Sequence, residues 1–216
     1  MADYRRAFMP GGTWFFTVNL LRRRHNDLLV REIGLLRETV RRVRARYPFR
    51  IDAWVVLPEH MHCVWTLPPG DADFSTRWRL IKSTFSRALP KTEYRSNVRK
   101  MAGERGIWQR RYWEHLIRDD RDYRHHVDYV HVNPLKHGYV RRAADWPYST
   151  LHRYVAKGIY SMGWCGDADA TVDGASFIHP ALLIGIPWVH ISRYKSLNSI
   201  QCILQGIPDD SHSTRM

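Results

Sequence analysis

The chain has 216 residues, 44% hydrophobic and 12% aromatic, which is enough apolar material for a buried core and excludes a disordered chain. Its 34 Lys and Arg against 21 Asp and Glu give a formal charge of +13, unevenly spread. Residues 165–216 hold three basic and five acidic groups, leaving +15 on residues 1–164. Such an excess points to a polyanion, nucleic acid ahead of anionic lipid, unless the surface is merely well solvated.

Cys63, Cys165 and Cys202 are odd in number and show no C-x-x-C spacing, so neither a disulfide framework nor a thiolate zinc site is indicated. A reducing, cytoplasmic setting fits. The N-terminus MADYRRAFMPGG has no apolar stretch after its arginines, and no run reaches the roughly 18 apolar residues of a membrane span. The expectation is a soluble, unexported protein with no membrane partner.

Gly11-Gly12 precede TWFFTVNL (13–20), whose β-branched and aromatic content reads as a buried first strand, followed by Arg22, Arg23 and Arg24. Asn26 can cap a helix running to about Arg46, because Leu29, Ile33, Leu36, Val40 and Val43 recur at helical spacing. Arg37, Arg41 and Arg44 lie off that stripe, as a solvated face or as phosphate contacts. Pro48 ends the helix, and residues 49–57 and 60–67 read as a hairpin around Pro58-Glu59. After a Pro-Pro-Gly-Asp turn at 68–71, Phe74, Trp78, Ile81, Phe85 and Leu89 define a second amphipathic helix, with Lys82 and Arg87 outside its stripe. A charged loop (90–107) leads to IWQRRYWEHLI (107–117), read as the fourth strand. The order βαββαβ predicts an α+β, ferredoxin-like fold, an antiparallel sheet backed by two helices on one face.

The hairpin's second strand carries His60-Met61-His62. On a strand, residues i and i+2 share a face, so the two imidazoles stand side by side while Met61 points away. Neighbouring imidazoles can chelate one divalent metal; an isolated His-x-His pair is also a common coincidence. Weight comes only from a third ligand and a group whose chemistry needs a metal.

Asp119, Asp120 and Asp122 open a last helix that runs to about Val132, with Pro134 expected to stop it near Asn133. Tyr123, Val127 and Val130 share a core-facing stripe. Tyr129 and Asn133 fall together on another face, with His125 a turn earlier, so Tyr129 stands where no core residue is needed. That face is either solvent-exposed, with Asn133 an ordinary helix end, or a site in which Tyr129 is a nucleophile and Asn133 a third, oxygen ligand. A phenol with a pKa of about 10 is a poor nucleophile at neutral pH, and a cation that binds phosphate and leaving oxygen makes the electrophile more reactive. Two imidazoles and an amide oxygen suit Mg²⁺ or Mn²⁺; zinc lacks the thiolates that favour it.

The His60-Met61-His62 strand, WQRRYWEHLIRDDRDY (108–123) and YVHVNPLKHGYV (129–140) together resemble the REP-associated tyrosine transposases, relatives of the single-tyrosine transposases of the HUH class. MADYRRAFMPGGTWFFTV and WPYST (146–150) fit the same pattern, so the resemblance spans residues 1 to about 165. It implies a nuclease in which His60, His62 and Asn133 hold Mg²⁺ or Mn²⁺ and Tyr129 cuts single-stranded DNA at hairpins of repetitive extragenic palindromes. The cut leaves a 5′-phosphotyrosine, and strand transfer follows. Glu59 matches in place with no chemistry assigned. The resemblance makes Arg5, Arg6, Arg22, Arg23, Arg24, Lys82, Arg87, Arg110 and Arg111 candidate DNA contacts, with Trp108 or Trp113 as core residues or base-stacking platforms.

A monomer and a homodimer are both compatible. Residues 166–216 carry no motif of the family and form an extension of unassigned role after a domain at 1–165. Two other readings stay open: a hairpin-binding protein that does not cut, and a hydrolytic metal nuclease that uses water.

Overall fold

The computed structural model describes residues 7–166. Four strands, β1 (Thr13–Asn19), β2 (Arg50–Val56), β3 (His60–Thr66) and β4 (Trp113–Leu116), pair antiparallel in the order β2-β3-β1-β4. This interleaving follows from the expected βαββαβ order: β3 returns from its hairpin into the gap between β2 and β1, and β4 adds on the far side of β1. Strands β1, β2 and β3 are short and rich in aromatic or β-branched residues, which suit a pleated surface buried on both faces, whereas β4 at the edge is only partly buried.

The alternation of side chains sorts the sheet into two cores. Trp14, Phe16 and Val18 of β1, with Met61, Cys63 and Trp65 of β3, join a cluster with α2 (Ile33–Arg46) and α3 (Phe74–Ala88). Trp65 and Trp78 stack there at 4.3 Å and 16°, and truncating either to Ala would cost about 3–5 kcal/mol. Phe15, Ala53, Val55 and Val64 face the other way and meet Val127 and Val130 of α5 (Asp120–Lys136). The tyrosine helix therefore covers the face that α2 and α3 leave open, and this is the face onto which β3 turns His60 and His62.

Several local expectations are corrected. The first helix is two pieces, α1 (Leu28–Arg31) and α2, broken at Glu32; Asn26 does help start it, its Oδ1 accepting the Leu28 N–H at 3.1 Å. The charged loop contains a short helix, α4 (Asn97–Met101). Strand β4 is shorter than expected, because residues 107–109 instead reach back to the end of β1. The Leu21 N–H donates to the Ile107 carbonyl at 2.8 Å and the Gln109 N–H to that of Asn19 at 3.0 Å.

Helix α5 does not stop at Asn133 but runs through Pro134 to Lys136. Proline removes one donor only, and the helix closes beyond it through the His137 N–H to the Asn133 carbonyl at 3.0 Å.

After α5 the chain passes a 3-10 turn (Ala143–Asp145) and α6 (Leu151–Ala156). Residues 148–150 lie along β2, the edge strand: the Val56 N–H donates to the Tyr148 carbonyl at 2.9 Å and the Thr150 N–H to that of Trp54 at 2.8 Å. This covering satisfies backbone groups that an open edge would present to another chain. Among the described residues no helix is long and apolar enough to cross a membrane. Arg5, Arg6 and all of the 166–216 extension except Gly166 lie outside the described residues.

Candidate active site

His60 and His62 stand on the α5 face of β3 with ring centroids 4.9 Å apart and planes at 86°. His60 is fully buried and His62 is 2% exposed. Their register explains their surroundings: His62 lies opposite Thr17 of β1, and His60 opposite Asn19. The Thr17 hydroxyl lies 2.9 Å from His62 Nδ1, and Glu59 Oε1 lies 3.0 Å from His60 Nδ1.

Burial opposes ionisation of Glu59, but the His60 ring N–H and the Arg23 guanidinium outweigh it and hold the carboxyl at about 2. Glu59 is thus an acceptor only, so His60 donates from Nδ1 and its lone pair resides on Nε2. Burial also lowers the His60 pKa, against the pull of Glu59, which keeps the ring neutral. Its buried Nε2 has no hydrogen-bond partner among the described residues. A neutral imidazole, oriented through Nδ1 by a carboxylate and offering Nε2, is the arrangement of a metal ligand.

Tyr129 comes from α5 onto the same place. Its ring is 5.2 Å from that of His62 at 78°, and 5.8 Å from Phe15. Burial raises the phenol's pKa, partly offset by an Asn133 side-chain hydrogen bond and by the charge of Arg23. The solvent-exposed alternative for this helix face does not hold: Asn133 is 1% exposed, and its buried Oδ1 has no hydrogen-bond partner among the described residues. Asn19 Oδ1, also buried, shares that condition. The lone-pair nitrogen of His60 and the uncompensated amide oxygens of Asn133 and Asn19 are donors of the kind a hard divalent cation takes, since such groups are costly to bury without a partner.

The sequence reading did not assign roles to Glu59, Thr17, Asn19, His137 or Lys136. His137 caps α5 with its ring 5.2 Å from that of His60, and Lys136 Nζ lies 4.8 Å from the centroid of the Tyr129 ring. The spacing Tyr129, Asn133, His137 at four-residue intervals was a signal available for His137.

A second cluster, His115, Asp122 and His126, holds its nitrogen and carboxylate atoms within 4.8 Å of one another, a grouping that could also hold a metal ion. Its carboxylate is already engaged. Asp122 Oδ2 accepts from His115 Nε2 at 2.8 Å and from the Arg118 N–H at 3.0 Å, while Oδ1 lies 2.9 Å from His126 Nδ1. The set ties the start of α5 to β4.

The candidate DNA contacts scatter. Arg23 pairs with Glu59 at 3.1 Å, and the Arg22 guanidinium lies 5.3 Å from the Tyr94 ring centroid. Lys82 donates to the Gln109 and Arg110 carbonyls at 2.5 and 3.2 Å, with its pKa lowered to about 8 by burial. Arg110 pairs with Glu104 at 3.1 Å, whereas Arg24, Arg87 and Arg111 are exposed. Trp108 is a core residue, 6% exposed, and Trp113 stacks on His115 at 5.8 Å.

No family model matches the chain. An Escherichia coli REP-associated tyrosine transposase is 53% identical over 167 residues, covering 77% of this chain and 93% of that protein. A Haemophilus influenzae protein of the same designation is 43% identical over 176 residues, covering 81% of this chain and 99% of its own. Among solved structures, a REP-associated tyrosine transposase bound to a REP hairpin superposes with a TM-score of 0.66 at 53% identity, covering 77% of this chain and 93% of that one.

Proposed function

The chain belongs to the REP-associated tyrosine transposase family, and from that premise we propose that it cuts and transfers single-stranded DNA at REP-type hairpins through a 5′-phosphotyrosine. The observation that carries this reading is the meeting of the Tyr129 phenol with the His62 ring at 5.2 Å, beside an Asn133 amide that it shares a hydrogen bond with.

In this reading the Tyr129 oxygen attacks phosphorus. A Tyr–O–P bond forms, the bond from phosphorus to the 3′-oxygen breaks, and the phenolic proton is balanced by the proton gained on the released 3′-hydroxyl. Another 3′-hydroxyl reverses the step and joins the strands without an external energy source. His60, His62 and Asn133 would hold Mg²⁺ or Mn²⁺, which supplies Lewis-acid polarisation of the phosphate and relief of charge on the leaving oxygen. Glu59 and Thr17 fix the rings, and the packed Phe15 keeps the phenol from swinging away from His62. Lys136 sets a positive charge near the developing phosphotyrosine. The compartment expected for such a protein is the cytoplasm, where the DNA is.

The test uses labelled hairpin oligonucleotides of varied sequence with Mn²⁺, and reads a covalent adduct mapped by mass spectrometry to Tyr129. Tyr129→Phe should abolish cutting and spare binding. Cutting that survives Tyr129→Phe would assign hydrolysis by water, and binding without any adduct across the hairpins would assign recognition alone.

A further inference from the structure

His115, Asp122 and His126 take no part in the reaction described above, yet they bring two imidazoles and a carboxylate to one place. One donor atom from each lies within 4.8 Å of the others. His115 Nε2 is 2.8 Å from Asp122 Oδ2, and His126 Nδ1 is 2.9 Å from Asp122 Oδ1. Ligands held at about 2.0–2.2 Å by a tetrahedral ion stand roughly 3.3–3.6 Å apart, so these donors are already gathered to about the span that one ion needs.

Two elements supply the set. His115 comes from β4, while Asp122 and His126 stand one turn apart on the same face of α5. The side chains of Asp122 and His126 are 9% and 5% exposed and that of His115 is 25% exposed, which leaves one open side for an ion to enter and for water to complete its coordination. An apolar shell surrounds the polar atoms: the Phe15 ring lies 4.8 Å from that of His126, and the Trp113 ring 5.8 Å from that of His115. Buried nitrogen and carboxylate donors inside such a shell are the setting in which a metal is held tightly. The two imidazoles are 4.6 Å apart and nearly parallel, at 16°, and they close on a common ion by a small turn of His115, the more exposed of the two.

We propose that His115, Asp122 and His126 bind a divalent transition metal of the zinc type, with water in the remaining position, and that this second centre pins the start of α5 to β4. Two imidazoles and one carboxylate are an established zinc donor set, whereas the His60 and His62 pair has only amide oxygens beside it. In the metal-free protein the carboxylate is held by hydrogen bonds. The ion takes the place of the protons on His115 Nε2 and His126 Nδ1, and each ring stays neutral by keeping a proton on its other nitrogen. The effect extends toward the nucleophile, because Phe15 packs against His126 and also lies 5.8 Å from the Tyr129 ring and 5.7 Å from that of His62. The inference stands apart from the cleavage reading and does not need it.

The test titrates the full-length protein with Zn²⁺ alone by calorimetry and follows thermal unfolding. His60→Gln with His62→Gln removes the imidazoles of the candidate active site; zinc binding should persist there, with an unfolding temperature that rises with Zn²⁺ concentration. Adding His115→Gln and His126→Gln to that protein should raise the zinc Kd by more than about a hundredfold, beyond what loss of a merely supporting hydrogen bond costs a metal site, and abolish the rise. Because these changes touch buried positions, a second measurement uses the unaltered sequence. His115 should be carbethoxylated by diethyl pyrocarbonate in the metal-free protein and protected by Zn²⁺, as read by mass spectrometry of its peptide. A zinc affinity indifferent to the added substitutions, or His115 labelling indifferent to Zn²⁺, would overturn the proposal.

Discussion

Glu59 and His60 are adjacent in the chain and yet bonded side chain to side chain, Glu59 Oε1 lying 3.0 Å from His60 Nδ1. Consecutive strand residues normally point to opposite faces; the contact exists because Glu59 sits in the turn just before β3, where the backbone has not yet entered the pleat. Arg23 and the Tyr139 hydroxyl complete the carboxylate's partners at 3.1 and 3.4 Å. Glu59→Gln keeps the shape and removes the charge that favours the donor tautomer at Nδ1. Mn²⁺ affinity, read by calorimetry, should fall about tenfold or more, with metal-free hairpin binding unchanged. An unaltered Mn²⁺ affinity would remove Glu59 from the site.

Thr17 serves His62 as Glu59 serves His60, with its hydroxyl 2.9 Å from Nδ1. Thr17→Val preserves the β-branched volume in a buried strand and deletes only the oxygen. The loss of a neutral partner should weaken Mn²⁺ binding less than Glu59→Gln does, by a few-fold, because a charge-assisted bond is roughly twice as strong as a neutral one. Thermal unfolding should show a destabilisation of about 1 kcal/mol or more for the unsatisfied ring nitrogen. The order of the two metal affinities is the point at issue, and the reverse order would contradict it.

The sheet was legible because its strands carry strong two-residue alternation or continuous apolar runs, and the His60/His62 face follows from that alternation alone. Helix α5 was harder to read. Its residues are buried on several sides: Val127 against the sheet, Asp122 and His126 toward β4, and His131 against Thr150, whose hydroxyl lies 3.0 Å from its Nε2. A helix buried on several sides has no single stripe, so the face of Tyr129 and Asn133 could be read either as solvent-exposed or as a site; Asn133 is buried and Tyr129 partly buried. Pro134 misled for another reason: near the end of the helix it forfeits a single bond, that to the Val130 carbonyl, and the last turn still closes beyond it through the His137 N–H to the Asn133 carbonyl at 3.0 Å. The partners of the histidines come from β1 and from a turn, contacts that depend on strand register and leave no spacing signal.

Pro134 gives a prediction of its own. Alanine there would restore a donor for the Val130 carbonyl and carries a helix-interior advantage of about 3 kcal/mol over proline. Against this, proline restricts the unfolded chain, worth about 0.4–1 kcal/mol, and the helix has already relaxed around it. The donor should win in part, so Pro134→Ala is expected to raise stability by about 1–2 kcal/mol in urea unfolding, with Tyr129 adduct formation retained. Destabilisation would mean that the ring's packing, not its lost N–H, governs the end of α5.

Asp122 links acid stability to the placement of the tyrosine helix. Burial by itself would raise its pKa, but the His115 side chain, the Arg118 backbone N–H and the charges of His115 and His126 hold it at about 2, against an ordinary 3.8. A carboxyl depressed in the folded state contributes stability that is fully present above its unfolded pKa and is lost as pH falls through the folded one. The window is therefore about pH 4 down to about pH 2, worth about 2–3 kcal/mol at about 1.4 kcal/mol per unit. The groups facing Asp122 are His115 from β4 and Arg118 and His126 around the start of α5. Asp122→Asn should accordingly be less stable than the parent at pH 7, and urea unfolding at a series of pH values should show the gap closing as pH approaches 2. A gap that stays constant from pH 7 to pH 2 would show that Asp122 acts through shape and neutral hydrogen bonds rather than through charge, and that the seating of α5 on β4 does not depend on its ionisation.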